Sequence, residues 1–391
     1  MADDTETREL KDASTNPWYV LMTIAGEQNG WLVDPDLHDR NRRYWNGWAG
    51  AALSEARKAE LIDKHGFTAE DFAPLTEKET NEIRRQLRER AGTEEILDPS
   101  DPVDCRKTRF LTTHCCAGFA FPRYASFEGA AFSWYADFEG AAFDGYADFE
   151  GAAFSKHTNF WRATFLDRIF FSGATLSGPT RFSGARFEHS PLLLYNAELH
   201  EDTDLNVAAW PRVPERHDAA RVHLRAYERL KLLMANQKKH ADEHMFLRKE
   251  LACREVVEEN RAIRLGYTLF RLSCDSGWDP VRPISWLGIA WLLGWLLIGG
   301  SEYYDATHLA WPEGCDAAGT CPEKAPLGFF QSGALSFSNI FGFLGLRTTF
   351  MREELASLNS LSEVVSGAQM FAGPILLFLM GLALRNRFRL S

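Results

Sequence analysis

Positive charge is scarce in this chain: 43 Lys and Arg stand against 54 Asp and Glu, a formal net charge of −11 over 391 residues. Neutralising phosphates takes clustered cations, so general nucleic-acid binding is excluded and no nucleic-acid partner is expected. A basic opening followed by an apolar stretch is also missing. The chain starts MADDTETRELKDASTN, which predicts no cleaved leader and a cytoplasmic location for everything before the first apolar run. No nucleophile, base and stabiliser can be assembled from spacing, so no catalytic residue, enzymatic activity or cofactor is expected. Cysteine is sparse. Cys105, Cys115, Cys116, Cys253 and Cys274 fall in the part expected to be cytoplasmic, where thiols stay reduced. Cys315 and Cys321 lie between two apolar runs, either as a disulfide or as two separate thiols.

Metal-binding patterns are weak. His240 and His244 share a helix face, but the acid, Glu243, precedes the second histidine rather than following the first, unlike a zinc-protease helix. A solvated helix face is expected there. His114, Cys115 and Cys116 with Cys105 match no common zinc spacing, and buried thiols are expected instead.

What the chain does have is a period. Large apolar residues recur at Phe127, Phe132, Phe138, Phe143, Phe149, Phe154, Phe160, Phe165, Phe171, Leu176, Phe182, Phe187 and Leu193, in steps of five and six by turns. Two steps make the true unit, as in YADFEGAAFDG from Tyr135 to Gly145. Two positions before most of these stands alanine, from Ala125 and Ala130 to Ala185; Thr158, Ile169, Thr180 and Pro191 are the departures. Large and small residues two apart share one face of an extended strand. The polar residues around them, such as Asp137, Glu139, Asp148 and Glu150, point outward. The spacing leaves no room for hairpins, so a continuous coil with stacked turns is predicted.

The A-x-F-x-G-A-x-F pattern over about 117–200 resembles the pentapeptide-repeat proteins. The resemblance implies a right-handed four-sided β-helix with these residues as its lumen. That family's basic unit is a pentapeptide and often carries Leu in the large slot. Here alternate sides carry an extra residue, so one coil takes two of the longer units. Seven such units from Tyr124 give three and a half coils, ~17 Å at the usual strand spacing.

Around the repeat, helices are predicted at Trp45–Lys64 and Thr76–Arg90, the second with Thr76 and Glu79 in capping-box spacing. Arg40, Arg42, Arg43, Tyr44, Trp45 and Trp48 form a basic, aromatic cluster, either a surface helix with an aromatic anchor or a contact for lipid or nucleic acid. Leu224, Tyr227, Leu230 and Met234 recur at helical spacing, as do Phe246, Cys253 and Val257; these stripes suit capping the coil or self-association.

Ile284–Ser301 and Gly367–Leu384 are uncharged runs, each meeting the lower length for a spanning helix. Arg271 and Arg282 precede the first; Arg385, Arg387 and Arg389 follow the second. Positive flanks predict an inner-membrane, multi-pass protein with both termini cytoplasmic. Leu327–Leu346 is uncharged but rich in Gly and Ser, and a re-entrant or interfacial segment is predicted. Its Ala334–Gly345 stretch is similar to the pore helix of a two-span potassium-type channel but lacks the T-V-G-Y-G filter.

The expected fold class is therefore mixed: a β-helix solenoid flanked by helical regions, plus a C-terminal transmembrane hairpin. The segments are a disordered tail over 1–16, a mainly helical region over 17–110, the β-helix over 111–205, an amphipathic helical linker over 214–276 and a membrane part over 284–385. The whole chain resembles bacterial membrane proteins with pentapeptide repeats. That implies a non-enzymatic scaffold or sensor presenting the β-helix to another protein, with the lipid bilayer as the second partner. An oligomeric channel is the alternative, in which a homo-oligomer encloses the pore. Soluble relatives of that family that mimic DNA suggest a third reading, a topoisomerase regulator.

Overall fold

Every eleventh residue from Lys107 to Gly184 has a left-handed backbone: Lys107, Gly118, Gly129, Gly140, Gly151, Arg162, Gly173 and Gly184 all have φ between +51° and +68°. Each sits at the third position of a tight turn. In Phe127–Ala130, for instance, the Phe127 carbonyl accepts from the Ala130 N–H at 3.0 Å, a turn that requires positive φ at its third residue. The preceding Asp or Asn fixes the corner: Asp137, Asp148 and Asn159 accept from the N–H of Glu139, Glu150 and Trp161. The A-D-F-E-G run is thus a strand and the corner that ends it.

In the computed structural model, which describes residues 10–30, 32–207, 209–308, 327–351 and 358–388, these corners wind the chain into a four-sided parallel β-solenoid of about four turns. Each strand pairs with those one full coil before and after it: Ala147 lies between Ala125 and Ile169, and Phe154 between Phe132 and Leu176. Four sheets result, starting at Val103–Asp104, Thr108–Phe110, His114–Cys115 and Ala120–Phe121. The lumen is dry and aromatic. The residues expected there from Phe127 to Phe187, Leu176 included, are all 1% exposed or less. Rings one coil apart stack nearly parallel, as Phe138 on Phe160 at 5.0 Å and 6°.

Three expectations about the solenoid need correction. It starts at Val103, upstream of 111, because Cys105 and Cys116 occupy the lumen positions that phenylalanine fills later. Both thiols are fully buried, and helices from upstream supply the missing bulk. Lys11–Asp12 pairs with Thr108–Arg109 and a short helical turn covers Ala13–Thr15, so regular structure occupies part of the stretch expected as a disordered tail. Finally, one extra residue between Phe187 and Leu193 shifts the register. Leu193 bridges Phe170 instead of occupying the slot above Phe171, and Leu192 and Leu194 take the inward positions. All three leucines are buried because helices close this end.

The upstream helices are α1 (Pro17–Met22), α2 (Pro35–Ala49), α3 (Glu55–Lys64) and α4 (Glu77–Gln86). The single helix predicted over 45–64 is broken at Gly50–Ser54, where the Ser54 hydroxyl caps α3. Thr76 and Glu79 form the capping box expected for α4. Trp45 plugs the first coil: it is fully buried, stacks on Phe119 at 5.5 Å, and donates from Nε1 to the Ala120 carbonyl at 2.8 Å. Asn46 accepts from the Ala120 N–H and donates to the Gly118 carbonyl, both at 2.9 Å. An unpaired strand edge is thereby satisfied by side chains. The aromatic part of the Arg40–Trp48 cluster thus faces inward, and Arg42 and Arg43 are held by Asp71 and Glu79. Both tryptophans, Trp45 and Trp48, are buried, so they belong to the core and do not form the expected anchor of a surface helix.

Downstream, Trp210 stacks on Phe187 at 5.1 Å and is met edge-on by Tyr227 and Phe246. These come from α5 (His217–Asn236) and α6 (His240–Val257), which cap the last coil.

The chain divides into two compact units within α6, after Cys253. The second holds α7 (Arg261–Cys274), α8 (Val281–His308), α9 (Phe329–Ile340), α10 (Leu346–Phe350) and α11 (Ser360–Phe388). Val281–Tyr304 of α8 and Ser360–Phe388 of α11 are long and apolar enough to cross a membrane. Their sides are bare, with Leu296 64% and Phe371 80% exposed. At 12 residues, α9 is ~18 Å long, short of a hydrocarbon core. Cys315 and Cys321 lie outside the described residues.

Candidate functional site

Among the described residues, polar side chains gather on the outer walls of the solenoid and along the seam between α8, α9 and α11.

On the wall carrying Ala136–Asp137, equivalent outward positions stack as Cys115, Asp137, Asn159 and Arg181. The Asn159 amide donates to Asp137 at 3.0 Å and to Glu139 at 3.1 Å. Asp137 is 8% exposed, and burial pushes its carboxyl up to about 6, with the neighbouring Glu139 adding to the rise. One coil further, the guanidinium groups of Arg162 and Arg181 each lie 4.7 Å from the Trp161 ring. This wall therefore passes from acidic to basic along its length. Asp148 and Glu150, one repeat unit on, lie on a different sheet, the one through Ala147–Asp148, where Asp148 accepts from the Tyr124 hydroxyl at 2.8 Å. The expected acidic set is thus split between two walls, since half a coil carries the chain across the tube.

The residues weighed as metal ligands are placed as follows. His114 is buried at 3% exposure among Tyr19, Phe110 and Phe132, and burial pushes its imidazole down to about 3, which keeps it neutral. The Cys116 thiol lies 3.2 Å from His114 Nε2, and Cys115 lies 3.3 Å from His38 Nδ1. Burial pushes the Cys115 thiol up to about 12, leaving it unreactive at neutral pH. His240 Nδ1 lies 3.2 Å from the Glu243 carboxylate, and His244 is buried, so the solvated helix face expected there is half covered. Among the described residues no three His, Cys, Asp or Glu side chains converge as a metal site.

The helical seam was not foreseen residue by residue. Gln369 of α11 donates to the Ala290 carbonyl of α8 at 2.7 Å and to Ser336 Oγ of α9 at 2.8 Å. Asn339 of α9 donates to Ser366 Oγ at 3.0 Å and Gln369 Oε1 at 3.1 Å. Its own Oδ1 is buried without a partner among the described residues. Ser336 donates to the Trp291 carbonyl, and Trp291 and Trp295 donate to the carbonyls of Gly333 and Phe329. Glycine permits this closeness: a Cβ on Gly373 would collide with the Ile340 carbonyl. Small residues and interhelical amide bonds are the means by which helices associate without water. The signal in the sequence was the Gly- and Ser-rich character of Leu327–Leu346, whose Ser332, Ser336 and Asn339 are buried.

No protein-family model matches the chain, and neither a curated protein nor a solved structure matches it.

Proposed function

We propose that the protein is a non-enzymatic, membrane-anchored scaffold of the pentapeptide-repeat type, which offers the walls of its solenoid to another protein. One observation carries this reading. Both ends of the tube are stoppered by the chain's own Trp45 and Trp210, and α3 packs on the wall through Ala120 and Ala142, which leaves the ladders of the other walls to bind. Regularly stacked strands hold those ladders rigid, so a partner would meet a surface that costs little to order. The bare sides of α8 and α11 supply the anchor, and Arg282, Arg385 and Arg387 at one end of these helices support cytoplasmic termini. The test is photocrosslinking from the more accessible positions 139, 162 and 181 of the solenoid in native membranes. A specific protein recovered in the carbonate-resistant fraction supports the reading; recovery of the chain in the soluble fraction alone sinks it.

A second reading has its own observation. A short helix wedged between two candidate spans, with the buried Asn339 Oδ1 unpartnered among the described residues, suits an oligomeric pore whose lining is completed by further copies. One hairpin cannot enclose a channel, so ion flux from the purified oligomer in liposomes separates this reading from the scaffold.

A further inference from the structure

Helix α7 carries apolar side chains where a water-soluble helix would not. Leu265, Leu269 and Leu272, spaced by four and three positions, are 57%, 56% and 50% exposed. This spacing makes one continuous stripe along the helix. Tyr267, Phe270 and Cys274 sit around the other side, Cys274 fully buried, so the exposed leucines are a second apolar face.

The position of this face decides what covers it. The Asn386 amide donates to the Gly277 carbonyl at 2.9 Å, which ties the turn after α7 to the end of α11. Trp286 Nε1 donates to the Leu272 carbonyl, and Arg282 to the Arg271 carbonyl. The last turn of α7 is thus level with the start of α8 and the end of α11, one mouth of both apolar helices. Cations flank the face: Arg385 and Arg387 stand near the end of α11, and Arg261 and Arg264 in the first turn of α7. Arg261, Arg264, Arg385 and Arg387 form no ion pair among the described residues, whereas Arg271 is held by Glu255 and Arg282 by Asp279. The remaining acids nearby are Glu258, Glu259 and Asp275.

We infer that α7 is an interfacial helix. It lies in the headgroup layer with Leu265, Leu269 and Leu272 sunk to the acyl boundary, and the free arginines on the phosphates of anionic phospholipid. An amphipathic helix with cations beside its apolar stripe binds there by burying that stripe and by attraction to negative lipid. This inference rests on the membrane reading of α8 and α11.

The experiment separates the two. A benzophenone amino acid is placed in the full chain at position 269, or at position 375 of α11 as a control, and the protein is reconstituted in phosphatidylcholine vesicles with or without phosphatidylglycerol. Lipid adducts at both positions, at least twofold more abundant at 269 when phosphatidylglycerol is present, are expected. Arg261→Gln with Arg264→Gln should remove that enhancement while leaving the adduct at 375 unchanged. Lipid at 375 with a crosslinked second copy, or no lipid adduct, at 269 would overturn the interfacial helix and leave the anchor standing. No lipid at either position would overturn both. An enhancement that survives the double substitution would overturn the role of the arginines.

Discussion

Phe127 and Phe149 belong to successive coils, yet their rings lie 5.0 Å apart and 4° from parallel. Phe149 stacks again on Phe171 at 4.9 Å, so it is the middle ring of a column. Truncating it opens a cavity that neighbouring rings cannot fill without leaving their own stacks. Phe149→Ala should cost about 3–5 kcal/mol, read as a lowered melting temperature of the purified chain in detergent. A loss under about 1 kcal/mol would mean the column is not tightly packed.

Asp137 gives the solenoid a pH dependence of opposite sign to most carboxylates. Its folded value, about 6, lies above the ordinary 3.8, so the folded chain holds a proton that the unfolded chain has released. Between those values stability falls as pH rises. A rise of that size, at about 1.4 kcal/mol per pH unit, is roughly 3 kcal/mol of penalty at neutral pH. Asp137→Asn, which keeps an acceptor for the Glu139 N–H, should melt higher than the wild-type chain at pH 7 and no higher at pH 4. Equal melting temperatures at pH 7 would contradict the burial argument.

Two glycines test the corners separately. Gly140 has φ +61° with open space around it, whereas a Cβ on Gly145 would lie 2.5 Å from the Arg123 carbonyl carbon. Gly140→Ala should cost ~1–2 kcal/mol from backbone conformation alone, and Gly140→Asn less, since asparagine tolerates that region as Asn196 does at φ +54°. Gly145→Ala should cost ~1–3 kcal/mol by displacing the coil beneath, and asparagine there should be worse. Denaturation midpoints of the four variants check this. If asparagine rescued position 145 but not 140, the assignment would be reversed.

At the downstream cap, the Tyr227 hydroxyl is buried without a hydrogen-bond partner among the described residues. Tyr227→Phe removes an unsatisfied group, so it should be neutral or stabilising by up to ~1 kcal/mol. The contrast is Lys231, which pairs at 2.5 Å with the 3%-exposed Glu250 side chain. Lys231→Ala removes one charged hydrogen bond from a buried carboxylate and should cost ~1–3 kcal/mol. Chemical denaturation of both variants checks the pair.

Much of this architecture was legible because its period is short and its core residue is distinctive. The phenylalanine spacing announced both the repeat unit and the coil made of two such units. Where other residues take over the job, the signal fades. Cys105 and Cys116 hide the first coil, since a thiol does not announce a lumen position. The shift that moves Leu193 out of the lumen depends on one residue at a turn, which three consecutive leucines conceal. Trp45 read as a surface aromatic because nothing local says that an open coil lies 75 residues ahead. The seam of α8, α9 and α11 was legible only as a class of segment. The partners of Asn339 lie 27 and 30 residues away on another helix, beyond the reach of any local pattern.

That seam gives the last prediction. Gln369→Leu deletes donors to Ala290 and Ser336 and the acceptor for Asn339, leaving Asn339 its bond to Ser366 and Ser336 its bond to Trp291. Interhelical bonds in lipid are worth ~0.6–2 kcal/mol each. Loss of several should loosen α9, seen as faster hydrogen exchange over 329–340 with little change over 281–304. Unaltered exchange in α9 would show that apolar packing alone holds it.

Because each full storey of the tube returns the chain to the sheet it left, as Ala147 above Ala125, its length is quantised. Duplicating one storey internally would raise the rod by ~4.8 Å and bring the chain back to the same side, so the stoppers at top and bottom would still fit. Duplicating a single repeat unit would bring the chain out on the opposite wall, and the lid built on Trp210 would find the wrong sheet beneath it. Variants of this rod should therefore grow or shrink by even numbers of units.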